Sequence, residues 1–263
     1  MLRRSIILAA TLALSAGTAL AANASTAAQP AAVTPSAINP GGLAHLDPST
    51  QQAVGGLHEE ESSNWSGYAV TGGTYTSVSS SWVQPAGTCT SATRYSSFWV
   101  GLDGYTSSTV EQTGTDTDCV DGTPQYYGWY EIYPADSVSF GDTVKAGDTI
   151  TASVVYEGSN EFKLTLADTT QGWSVNTTQT EADAARSSAE VIVEAPCCTN
   201  SGGILPLADF GTVNVSDSVV DGDPIGDLDP TQIIMVDTSG NDKDTVSSLS
   251  DEENFSATWE RAS

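Results

Sequence analysis

F-W-V-G-L-D-G (98–104), V-E-Q-T-G (110–114) and Y-Y-G-W-Y-E-I-Y-P (126–134) form the stretch around which the rest of the chain can be read. Apolar and polar residues alternate through much of it, with aromatics and valine prominent. A period of two with that composition reads as half-buried β-strand, and the Gly, Asp and Thr clusters between the runs read as turns. Trp99 and Trp129, with Trp82 just upstream, are interleaved with Asp103, Gln112, Asp116 and Glu131. Such a stripe suits the core of a sandwich or the wall of a cleft.

Working outward, similar runs recur with turn signals between them. They are Tyr75–Val83, Ser97–Leu102, Gln125–Tyr133, Thr149–Tyr156, Glu161–Ala167, Ala189–Glu194, Thr212–Val215, Ile233–Val236 and Phe255–Trp259. Long amphipathic helical patterns are missing, and Glu181–Ser188 alone suits a short helix. The pattern predicts an all-β, antiparallel β-sandwich as a single domain over 62–263.

Ahead of that domain the chain changes character twice. Arg3 and Arg4 precede the apolar run Ile6–Leu20, and Ala19-Leu20-Ala21 supplies a small-x-small cleavage pattern, so 1–21 reads as a signal peptide. Residues 22–61 are rich in Ala, Pro, Ser and Thr, with Pro30, Pro35, Pro40 and Pro48 and no aromatics. That segment reads as a propeptide or disordered linker. No later stretch approaches a membrane-spanning length. A secreted, extracellular protein is expected, acting as a monomer.

His45 and His58, the chain's two histidines, both precede the expected domain. Without an imidazole, neither a Ser-His-Asp nor a Cys-His nucleophile can be assembled there, and the usual zinc ligand sets are lost. Acid–base work falls on Asp or Glu. The chain carries 33 acidic and 8 basic residues, a net charge of −25. So many carboxylates repel one another at neutral pH and are largely protonated below about pH 4, which suits an acidic medium. The same balance argues against nucleic acid or an anionic membrane as partner.

Four cysteines in an exported chain point to disulfides. Cys89 and Cys119 flank the W-V-G-L-D-G block, where a bridge would staple neighbouring loops; Cys197 and Cys198 are adjacent and can close only a strained ring. Asp221-Gly-Asp223-Pro-Ile-Gly226-Asp227-Leu-Asp229 resembles a calcium loop. It has Ile225 at a ligand position and Gln232 where a bidentate Glu belongs, so an acidic turn is the reading and no metal or other cofactor is expected.

N-W-S-G-Y (64–68), W-V-G-L-D-G (99–104), E-Q-T-G (111–114), Y-G-W-Y-E-I-Y-P (127–134) and A-E-V-I-V-E-A-P (189–196) together resemble the glutamic peptidases, the eqolisins of peptidase family G1. The blocks extend in order from about Asn64 to Trp259. The resemblance implies two large curved sheets of lectin-like type, a polypeptide substrate and a metal-independent dyad of Gln112 and Glu194. It also implies that Trp65 and Trp99 wall the cleft, that Asp103, Asp116 and Glu131 are hydrogen-bond partners near the dyad, and that Tyr133 completes the rim. Glu190 shares a strand face with Glu194, about 13 Å away, and is the alternative for the carboxylate. Where the family often has an acidic residue after the catalytic Glu, this chain has Ala195; where it often has an aspartate near the aromatic run, this chain has Tyr127.

A water held by an ionised Glu can lose a proton to it and attack an amide carbon, while a glutamine N–H holds the developing oxyanion. The glutamine amide does not change protonation at acid pH. A tryptophan-lined sandwich with paired carboxylates also suits a glycoside hydrolase or a carbohydrate-binding lectin-like module. Release of reducing sugar, or glycan binding without turnover, would mark those alternatives.

Overall fold

The alternation read from the sequence becomes two faces on each strand, because successive side chains of an extended chain point to opposite sides. The computed structural model describes residues 52–54, 57–197 and 203–263. In chain order the strands are β1 (Gln52–Val54), β2 (Leu57–Ser62), β3 (Trp65–Thr71), β4 (Ser77–Val83), β5 (Ser97–Leu102) and β6 (Val110–Val120). There follow β7 (Thr123–Tyr133), β8 (Val138–Thr143), β9 (Thr149–Gly158), β10 (Glu161–Asp168), β11 (Trp173–Thr180) and β12 (Ser188–Glu194). The last are β13 (Thr212–Val220), β14 (Asp223–Pro224), β15 (Thr231–Met235), β16 (Asp244–Val246) and β17 (Phe255–Trp259).

They make two sheets. One runs β1-β2-β15-β3-β12-β5-β6-β7-β8; the other runs β11-β10-β9-β4-β13-β17-β16, with β14 on β13. Pairing is antiparallel throughout, except that β2 and β15 are parallel. The chain is an all-β sandwich, as the pattern predicted.

The layer between the sheets takes one face of each strand. Phe98, Val100 and Leu102 of β5 and Ala189, Val191 and Val193 of β12 pack with Ile150, Val154, Leu164 and Leu166 from the other sheet. Each of the larger of these side chains contributes about 1.5–3 kcal/mol when removed from water. Trp82 of β4 reaches across this layer and donates its indole N–H to the Thr115 hydroxyl of β6 at 2.9 Å. A disulfide joins Cys89 to Cys119, fastening the loop after β4 to the end of β6.

Some expectations change. The segment 181–187 is not helical: Arg186 has φ 52°, and the Arg186 and Ser187 amides are bound by the Asp103 carboxylate. Tertiary hydrogen bonds override helix propensity there. Residues 57–61, read as the end of the arm, belong to β2. Residues 1–21, the arm up to Gln51 and Cys198 lie outside the described residues. In the acidic loop, Asp221 accepts from the amides and hydroxyls of Thr76 and Ser77, and Ile225–Leu228 forms a 3-10 turn. Among the described residues, no group of three or more His, Cys, Asp or Glu side chains has metal-binding geometry, and no helix is long and apolar enough to cross a membrane.

Candidate active site

The face of the nine-stranded sheet turned away from the shared core carries a second, separate cluster: Trp65, Ala69, Trp99, Tyr105, Val110, Trp129, Ile192 and Ile233. Strand register arranges this face in three rungs. Trp65, Glu194, Ser97, Asp116 and Tyr127 lie side by side across β3, β12, β5, β6 and β7. Two residues along each strand come Gly67, Ile192, Trp99, Gly114 and Trp129; two further come Ala69, Glu190, Gly101, Gln112 and Glu131. The middle rung holds indoles because its glycines make room. A Cβ on Gly114 would stand 2.1 Å from the Phe98 carbonyl oxygen and 2.6 Å from Trp99 Cβ. Gly101 likewise leaves space for the Trp99 ring, 2.8 Å from where its Cβ would be.

Glu194 is fully buried and held at both oxygens. Asn64 Nδ2 donates to Oε1 at 3.3 Å, and the Trp99 indole N–H donates to Oε2 at 2.9 Å. Asn64 is oriented in turn by Ser62, whose hydroxyl donates to Asn64 Oδ1 and accepts from the amides of Asn64 and Trp65. Trp65 stacks edge-on against Trp99 at 4.9 Å.

Gln112, also fully buried, donates from Nε2 to Glu131 Oε2 at 2.6 Å. Burial, then the negative charge of Glu194, pushes the Glu131 carboxyl well above the usual range, against the Gln112 hydrogen bond. Glu131 is therefore the link between the two expected dyad members: it takes the amide of one and feels the charge of the other. A protonated Glu131 adds no second negative charge beside Glu194.

Asp116 accepts from the Trp129 indole at 2.6 Å and from the Tyr127 hydroxyl at 2.7 Å. Burial raises it to about 6, partly offset by hydrogen bonds from Tyr127, Ser97 and Trp129. The Tyr127 oxygen lies equally close, 2.7 Å, to Asp118. Burial and the Asp116 charge push Asp118 well up. A phenol carries one proton, so it can donate a hydrogen bond to one aspartate and accepts one from the protonated carboxyl of the other. The pair holds at least one proton whenever both contacts exist.

The remaining expected residues are placed differently. Asp103, at φ 69°, directs its carboxylate to the Arg186 and Ser187 amides and the Ser107 and Ser187 hydroxyls. Its carboxylate ties the 103–107 and 186–187 segments together. Glu190 is buried near Asp103 and Glu111; burial chiefly, with those two charges, pushes it well up against the Ser188 hydrogen bond. It belongs to this second acidic group and not to the Asn64–Trp99 grip. Tyr133 is half-buried and packs against the tryptophan cluster.

Asn64, Asp118 and Tyr127 were not singled out from sequence as site residues. Asp118 continues the every-second-residue series Gln112, Gly114, Asp116 on one face, a signal that was available; Asn64 lies in a corner outside any periodic run.

The sequence matches the Peptidase A4 family over residues 63–259. The fold resembles scytalido-glutamic peptidase bound to a transition-state analog inhibitor, at 29% identity and TM-score 0.66, covering 75% of this chain and 98% of that one. It resembles SCP-B, an eqolisin in complex with the tripeptide Ala-Ile-His, at 26% identity and TM-score 0.62, again covering 75% and 98%. It also resembles aspergilloglutamic peptidase from Aspergillus niger, at 27% identity and TM-score 0.54, covering 63% and 99%. No curated protein sequence matches. The family match spans most of the chain and coincides with the strands that build both the tryptophan cluster and the Gln112–Glu131–Glu194 series: the chain belongs to the Peptidase A4 family, the eqolisins.

Proposed function

We infer that the chain is a secreted endopeptidase that works in acid, with Glu194 as general base and acid and Gln112 as the oxyanion donor. The observation that carries this reading is the grip on Glu194 by Asn64 and Trp99 together with its electrostatic link, through Glu131, to the Gln112 amide. Donors at both oxygens favour the charged form of a carboxylate, and they hold Glu194 in one orientation. It takes a proton from a water as that water attacks the scissile carbonyl, and returns it to the leaving amine. Gln112 has two N–H donors; one is directed to Glu131, and the reading assigns the other to the oxyanion.

The buried carboxyl groups support acid action. Glu131, Asp118 and Asp116 are all displaced upward and carry protons at pH 4, so the site then holds far less negative charge than its composition suggests. The segment 22–61 is read as a propeptide or linker ahead of the catalytic domain, its last part pairing with the sheet as β1 and β2.

The test is digestion of casein or haemoglobin at pH 3–4 by wild type, Glu194→Gln and Gln112→Ala, with circular dichroism on each. Activity is expected to vanish in the first variant and to fall by roughly 10²–10³ in the second, with both folded. Full activity in folded Glu194→Gln would refute the assignment.

A further inference from the structure

Arg94, Lys145, Lys163, Arg186 and Arg261 are half-buried or exposed, whereas Lys243 is buried. In a chain so rich in carboxylates, a buried cation needs a reason. Its ammonium donates to the Ser63 carbonyl at 3.2 Å. Ser63 lies between Ser62, which orients Asn64, and Asn64 itself, which grips Glu194. The Asn64 carbonyl also accepts from the Ala195 amide at 2.8 Å, so the 62–65 corner is fastened to the end of β12 on both sides of its side-chain contact. Next to Lys243, the Asp244 side chain accepts a short hydrogen bond from Ser66, whose hydroxyl also faces the Val193 carbonyl. Lys243 and Asp244 thus back onto the 63–66 segment, which is itself bonded to β12 through Ser66.

We propose that Lys243 is a positioning residue for the base, its ammonium braced behind the Ser62–Trp65 corner so that the Glu194 carboxylate keeps its charge and its Asn64 contact in acid. This rests on the reading of Glu194 as base. The charged groups around the pair include Glu131 on β7, Asp116 in the same rung on β6, Asp244 on β16, and Asp237 and the exposed Asp242 between β15 and β16. Burial, opposed by a Ser66 hydrogen bond and the Lys243 charge, lifts Asp244 to about 7. Burial lowers Lys243 to about 8, against the charges of Asp244, Asp237 and Glu194. At pH 4, then, Asp244, Glu131 and Asp116 are neutral while Lys243 is charged. Asp237, held low by Asn241, is at the surface, where solvent screens it. Glu194 is the buried carboxylate of the base site whose charge acts on Lys243.

The experiment is the pH profile of kcat/KM from pH 2 to 7 on a peptide substrate, for wild type, Lys243→Met, Lys243→Gln and Lys243→Arg, with melts at pH 4 and Glu194→Gln as reference. Removing a nearby positive charge raises the pH at which a carboxylate ionises. The acidic limb is therefore expected to move upward by about one pH unit in both neutral variants and to stay in place in Lys243→Arg. A merely structural lysine would lower activity or melting temperature without moving the limb. An unmoved limb in whichever neutral variant folds, or an equal shift in Lys243→Arg, overturns the proposal. Activity persisting in Glu194→Gln sinks the base assignment itself, a result separable from the first.

Discussion

Replacing Glu111 by Gln should stabilise the fold near neutrality and do little in acid. Glu111 is fully buried, and its register partner on β5 is Leu102, which faces the shared core. Burial first, and then the charge of Asp103, raise it from 4.5 to about 9. A folded pKa above the unfolded one means the contribution to stability is complete below about 4.5 and is lost as pH rises towards 9. At pH 7 the unfolded chain has ionised this group and the folded chain has not, a penalty of about 3 kcal/mol at 1.36 kcal/mol per pH unit. That figure requires only that the folded acid lie above 7. Glutamine keeps the shape and cannot ionise in either state, so the penalty disappears. Melts followed by circular dichroism at pH 3.5 and 7.0 read the effect. The expected rise is about 6–12 °C at pH 7 and near zero at pH 3.5. An equal shift at both pH values would refute the account of a proton held by burial.

Removing the Asn64 amide, by Asn64→Ala, takes a donor from the Glu194 carboxylate and should lower kcat/KM by about 10- to 100-fold; steady-state kinetics at pH 3.5 decide, and an unchanged rate contradicts the grip. Tyr127→Phe leaves Asp116 and Asp118 without the phenol between them, and urea unfolding should show a loss of about 1–3 kcal/mol; a neutral result would mean that the two acids pair directly. Gly114→Ala forces a methyl against the Phe98 carbonyl and Trp99, and should lower stability by about 3 kcal/mol, read by thermal melt; a wild-type melt would mean β5 and β6 can separate freely.

The sandwich was legible because its strands repeat every two residues and no long segment keeps a helical period. Trp99, Gln112, Glu131 and Glu194 were legible because the blocks around them are distinctive, and the register sets them on one face. What escaped has physical reasons. In β11, W-S-V-N-T-T-Q-T has few apolar residues because it is the outer strand of its sheet and lightly covered. The helical composition of 181–188 lost to a single carboxylate, Asp103, that captures two of its amides. Lys243 gave no signal at all: one lysine in a polar stretch, D-T-S-G-N-D-K-D, reveals its burial only when β16 is laid behind β3. The bridging of Asp116 and Asp118 by the Tyr127 phenol likewise depends on which residues face each other across β6 and β7.

The parallel strand β2 has a consequence for how the chain can be trimmed. β15 lies between β2 and β3, so the two-residue link of Ser63 and Asn64 must step over the end of β15, where the Val236 amide is tied to the Ser62 carbonyl at 2.8 Å. A processing cut ahead of residue 57 leaves this saddle strapped on both flanks. A cut at 61–62 frees one flank and lets the asparagine swing with a loose chain end. The two cuts differ by a handful of residues, yet the shorter product would keep Gln112 and Glu194 while losing the anchor of the corner that holds the carboxylate.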